Sequence, residues 1–201
     1  MKNSSPKSQT ITTLSKKTPI VVCSDRTEQQ VAICAQLALD FDDVTACSIK
    51  QLPERIYSQP DSVLVLSWSK PCGELAYLIE FAEQKQLPLL VLTQSLNADQ
   101  ANLLPDTYGY VLLPSQVEPS FYGWLEYACR LRSRRQELDH MIEKLHQQID
   151  DRKYVDQAKG LLMKHHKMDE QQAYKALRTA AMQNSQSLGQ VAKTLIAALK
   201  V

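Results

Sequence analysis

A doubly wound α/β domain on a five-stranded parallel sheet, followed by a long helix and a small all-α domain, is the fold class the sequence predicts. Three observations carry it. Five short apolar runs alternate with helix-period stripes through the front of the chain. A stretch free of proline and glycine then runs from Trp124 to Lys159. The tail is dense in helix formers and carries two capping-box signatures, Asp169 with Gln172 and Ser187 with Gln190.

The strand candidates are PIVVCS (19–24), DVTACSI (43–49), SVLVLS (62–67), PLLVLT (88–93) and YGYVLL (108–113). Val63 to Leu66 is unbroken apolar sequence, the pattern of a strand buried on both faces. Between the first two runs, Glu28 to Leu39 places Val31, Cys34, Ala35, Ala38 and Leu39 at helical period. Between the third and fourth, Glu74 to Gln86 does the same with Leu75, Leu78, Ile79 and Ala82. Residues 1–17 read as a flexible lead-in, 18–120 as the α/β domain, 121–150 as a coiled-coil dimerisation helix and 151–201 as a three-helix domain.

The 201 residues are 44% hydrophobic and 22% charged, as in ordinary globular proteins. The start lacks the apolar core of a signal peptide, and no apolar run reaches the roughly 20 residues of a membrane helix. The five cysteines are scattered without a CxxC pair. Cys23, Cys34 and Cys47 sit in apolar company and read as small buried hydrophobes. A reducing cytoplasm is the expected compartment, with no metal and no cofactor. Net charge is +1, but 1–129 carry 9 Lys/Arg against 14 Asp/Glu, while 130–201 carry 14 against 8. A basic tail on an acidic front points to a polyanionic partner for the tail.

With Ser24 and Asp25 after the first strand, Ser67 ending the third, Thr93 ending the fourth and Leu113-Pro114 ending the fifth, the front half resembles the flavodoxin-like receiver domain of bacterial response regulators. The resemblance implies a phosphoacceptor aspartate where Ser67 stands and a lysine where Leu113 stands. Phosphoryl transfer there needs a carboxylate nucleophile and Mg²⁺ held by several oxygens. Asp25, Ser67, Thr93 and Leu113 therefore form a degenerate acceptor pocket, and the domain reads as a pseudo-receiver kept for binding. No catalytic residue is expected. Asp25 also suits a helix N-cap, and Thr93 a local turn.

In the middle helix, Leu131, Leu138 and Leu145 recur every seven residues, with Ile142 and Ile149 four after the last two. Leucine at d and isoleucine at a favour a parallel two-stranded coiled coil, with Arg135 as a polar register element. Leu131, Leu138, Ile142, Leu145 and Ile149 are the predicted homodimer interface; a surface helix packed on its own domain would show the same stripe.

Three tail helices are expected near 152–166, 170–183 and 188–199. Their apolar faces are Ala158, Leu161 and Leu162; Ala173, Leu177, Ala180 and Ala181; and Leu188, Val191, Ala192, Leu195 and Ile196. AKGLLM (158–163), AYKALRTAAM (173–182) and QVAKTLI (190–196) together resemble an ANTAR domain, an RNA-binding antitermination module. A pseudo-receiver joined to it by a coiled coil is similar to the layout of the amidase-operon and nitrate-assimilation transcription antiterminators. Lys175, Arg178 and Met182 share one face of the second helix, away from its apolar face. Lys159, Lys164 and Lys167 cluster around the end of the first, with His165 and His166, which diverge too far to chelate a metal. Lysine and arginine supply phosphate contacts, and Tyr174 suits either stacking on an unpaired base or the core. Gly160, within a helix, points to close approach by another helix or by RNA.

The resemblance implies a non-enzymatic antitermination factor whose tail holds paired stem-loops of leader RNA and prevents a terminator from forming. Control would pass through a ligand-sensing repressor protein rather than aspartate phosphorylation. A phosphorylation-switched regulator, a DNA-binding regulator built on helix-turn-helix, and a pure protein-interaction module are the alternatives.

Overall fold

The structure is a computed structural model and describes residues 14–95, 98–106, 109–115 and 120–199. Residues 1–13 of the expected lead-in, Tyr108 of the fifth strand candidate and the last two residues of the tail lie outside the described residues. Leu14, at the end of the lead-in, is buried in the core, and a turn joins Ser15 to Thr18.

Five strands form the sheet: β1 (Ile20–Ser24), β2 (Val44–Cys47), β3 (Val63–Trp68), β4 (Leu89–Thr93) and β5 (Tyr110–Pro114). All pair in parallel, in the order β2-β1-β3-β4-β5. This is the flavodoxin-like doubly wound order, whose direction reverses between β1 and β3. β3 and β4 are buried along their whole length, as unbroken apolar runs require.

Alternation along each strand feeds two cores. Val22, Val65, Leu92 and Leu113 pack with α1 (Thr27–Leu37) and the start of α5 (Tyr122–His166). Leu64, Leu66, Trp68 and Val91 pack with α2 (Leu52–Ser58) and α3 (Gly73–Gln84). A short α4 (Ala98–Ala101) follows β4. α2 goes beyond the helices expected from sequence; Pro53 in its first turn is compatible with a helix start because the missing N–H has no intrahelical acceptor there.

α3 buries the expected Leu75, Leu78, Ile79 and Ala82. α1 does not bury its expected stripe. Ile33 and Leu37 face the core with Cys34 half-buried, whereas Val31 is 63% and Leu39 79% exposed, with Ala35 and Ala38 also exposed. Turning in two large aliphatics four residues apart removes more apolar area from water than turning in a stripe in which two of five residues are alanine and one is cysteine.

α5 spans 45 residues and merges the predicted dimerisation helix with the first tail helix. Nothing between Trp124 and Lys159 stops it, since neither proline nor glycine intervenes. α6 (Glu170–Gln183) and α7 (Leu188–Leu199) follow. The chain divides into two compact units, residues 1–137 and 138–201. In the second, Val155, Ala158 and Leu162 of α5 pack with Ala173, Leu177 and Ala181 of α6 and Val191, Ala192 and Ile196 of α7. These are the expected apolar faces joined by Val155.

Candidate nucleic-acid interface

Local chemistry fixes where α6 and α7 begin. The Asp169 carboxylate accepts from Gln172 N–H at 2.7 Å, while the Gln172 side chain accepts from Asp169 N–H at 3.2 Å. Ser187 and Gln190 repeat the arrangement at 3.2 and 3.0 Å. Lys167, in the left-handed region at φ 52°, ends α5 and turns the chain toward Asp169. Helix α6 then buries Ala173, Leu177 and Ala181, which aims Lys175, Arg178 and Met182 at solvent. Tyr174 is 44% exposed, so it stands at the surface rather than in the core.

The predicted cations fall into two groups. Lys164, Lys167, Lys175 and Arg178 are exposed and form no ion pair among the described residues. Lys159 is different: its ammonium lies 2.8 Å from both Asp156 and Glu170. Those two carboxylates raise its pKa above the ordinary lysine value. A cation already held by two anions is a poor first contact for phosphate.

Tyr174 forms part of an open groove of about 630 Å³ within the helical unit. Its other walls include Gln148, Arg152 and Val155 of α5 with Leu188 and Gly189 of α7. Arg152 was not singled out from the sequence, although Gln148, Arg152, Asp156 and Lys159 recur at helical period. What the sequence does not reveal is that α6 and α7 close the other sides. Gly189 is buried, and a methyl group there would collide with the Asp151 carboxylate, which pairs with Lys193 at 3.3 Å. Lys193 also lies 4.7 Å from the Tyr154 ring centre. Gly160 corrects one of its two expectations: a methyl group there would meet nothing within 4 Å, so no helix among the described residues approaches it, and approach by RNA is the alternative left.

In the α/β unit, the Asp25 carboxylate accepts the Ser69 N–H at 3.0 Å, and Asp25 N–H donates to the Ser67 carbonyl at 3.2 Å. This places Asp25 at the switch point between β1 and β3. Its backbone position is not that of an N-cap, which falls to Arg26 without a side-chain bond. Ser67 and Thr93 are buried, with hydroxyls that find no partner among the described residues. Leu113, placed in the pocket by the sequence, packs instead into the core on the α1 and α5 face, because strand alternation turns it inward with Val111. Among the described residues no group of three or more His, Cys, Asp or Glu side chains gathers to hold a metal ion.

The predicted dimer stripe is exposed only from residue 138 onward. Leu138, Ile142, Leu145 and Ile149 are 51–63% exposed, and Met141 joins them at 53%. Leu131 departs from the expectation, since it packs against the α/β core. The first turns of α5 are a layer of the first unit, so the stripe's opening residue is used there. No helix among the described residues is long and apolar enough to cross a membrane.

A comparison with curated proteins finds no match. Residues 143–196, from within α5 to within α7, match the ANTAR domain family. The ANTAR domain is an RNA-binding antitermination domain, and the match covers the stretch from 143 to 196 within the helical unit.

Proposed function

We propose that the chain is a cytoplasmic transcription antitermination regulator that acts by binding rather than catalysis. Its helical unit would hold paired stem-loops of nascent leader RNA and so keep a terminator hairpin from forming. One observation carries this reading: within the matched ANTAR stretch, α6 offers Tyr174, Lys175, Arg178 and Met182 to solvent, with both cations unpaired among the described residues. Phosphate contacts need such cations, and loop recognition needs an accessible aromatic face. Two copies joined along α5 would present two such faces. Control by a ligand-sensing partner fits the α/β unit better than phosphorylation does. Ser67 is buried with a hydroxyl that finds no partner among the described residues, and the Asp25 carboxylate already holds a backbone N–H.

The test is a mobility-shift titration of the full chain against RNA with paired stem-loops, the same RNA with scrambled loops, and duplex DNA of matching sequence. Loop-dependent RNA binding, weakened about tenfold or more by Arg178→Ala, is expected. Equal binding to all three, or binding indifferent to salt, would overturn the reading in favour of a DNA-binding or protein-binding module.

A further inference from the structure

The α/β unit holds a thiol pair for which RNA binding has no use. Cys23 of β1 and Cys47 of β2 are direct register partners on neighbouring parallel strands. Both belong to the core on the α2 and α3 face, so their side chains point the same way. The two thiols influence each other's ionisation, which raises Cys23 and lowers Cys47. Neighbouring strands lie about 4.8 Å apart, within the Cα separation that a disulfide spans. Cys23 is fully buried; Cys47, itself only 5% exposed, forms part of the wall of a pocket of about 250 Å³ with Gln51, Glu54, Arg55 and Ser58.

We propose that this pocket is a thiol-modification site in which Cys47 reduces a small hydroperoxide and Cys23 resolves the product as a Cys23–Cys47 disulfide. The Cys47 thiolate attacks the outer peroxide oxygen; the O–O bond breaks, and the departing alkoxide takes up a proton and leaves as an alcohol. Cys47 is then a sulfenic acid. The Cys23 sulfur attacks the Cys47 sulfur, the S–O bond breaks, and hydroxide leaves with the Cys23 proton as water. The two thiols lose two electrons, and the hydroperoxide gains them.

Surroundings set Cys47 apart from Cys23, Cys34 and Cys129. The neighbouring Cys23 thiol, and beyond it the Arg55 charge, lower its pKa against the opposing effect of burial. Cys23 is raised by the same pairing and by burial, so it stays a thiol until it attacks. Burial pushes Cys129 up to about 11, with Glu126 adding to it, and burial raises Cys34. The thiolate is the reactive form, and an accessible wall decides which thiolate meets reagent. Glu54 beside Arg55 leaves the pocket without net positive charge, which suits a neutral hydroperoxide better than an anionic oxidant.

The test treats the full, reduced chain with hydrogen peroxide at one equivalent, then blocks remaining thiols and maps peptides. The expected product is a Cys23–Cys47 disulfide in the unaltered chain, which requires no variant to fold. In Cys23→Ser the reaction should stop at Cys47 sulfenic acid, trapped by dimedone about tenfold faster than at Cys34 or Cys129. A disulfide involving other cysteines, or oxidation of Cys47 no faster than of Cys129, would overturn the proposal.

Discussion

Lys159 and Arg178 carry the same charge in different surroundings. Lys159 is held by Asp156 and Glu170 across α5 and α6, while Arg178 faces water. Removing one cation that meets a phosphate lowers the slope of log affinity against log salt by about 1. Arg178→Ala should therefore reduce the salt slope of RNA binding, and Lys159→Met should leave it nearly unchanged; titrations at several salt concentrations check both. The glycines separate in the same way. A methyl group at Gly160 meets nothing, so Gly160→Ala should stabilise the chain by about 0.5–1 kcal/mol by removing unfolded-state freedom from a helix interior. Gly189→Ala obtains the same helical gain but forces Asp151 to swing away from Lys193. Urea denaturation should show no net gain for it, and the gain should return when Asp151→Ala is added, a coupling of about 1 kcal/mol.

At the scale of elements, α5 presents Leu138, Met141, Ile142, Leu145 and Ile149 half-exposed or more in the single chain. A charge placed there meets water in the monomer and an apolar seam in a parallel pair. Leu145→Glu should abolish self-association in sedimentation velocity while changing monomer stability by no more than about 0.5 kcal/mol. A variant that still sediments as a dimer would move the interface elsewhere. The same helix shows what sequence periodicity can and cannot reveal. The seven-residue repeat marks a stripe that is exposed in the single chain from Leu138 onward, yet it could not tell that Leu131 is consumed by the α/β core. On α1 the helical period was right and the buried face wrong, because period fixes which residues share a face but not which face the sheet covers. The strands, α3 and the apolar faces of α6 and α7 were legible because each is fully specified by its own residues. The groove at Tyr174 was not, since its walls come from three helices and only packing unites them.

At the scale of the whole molecule, each unit has its own core, and the basic excess lies in the chain's second part. One helical unit offers a small set of free cations, which suits weak binding to a single hairpin. If two copies join through α5, the second hairpin of a paired leader binds intramolecularly, and avidity rises about 10²–10⁴-fold without any new contact. Leu145→Glu replaces no residue of the proposed RNA face, so it separates contact from avidity. It should leave affinity for an isolated stem-loop unchanged and lower affinity for the paired stem-loops at least about 100-fold, down to the single-loop value. Equal losses on both RNAs would mean that the stripe shapes the RNA face itself. No loss on the paired RNA would mean that one copy of the chain holds both hairpins, and the dimer would have no part in recognition.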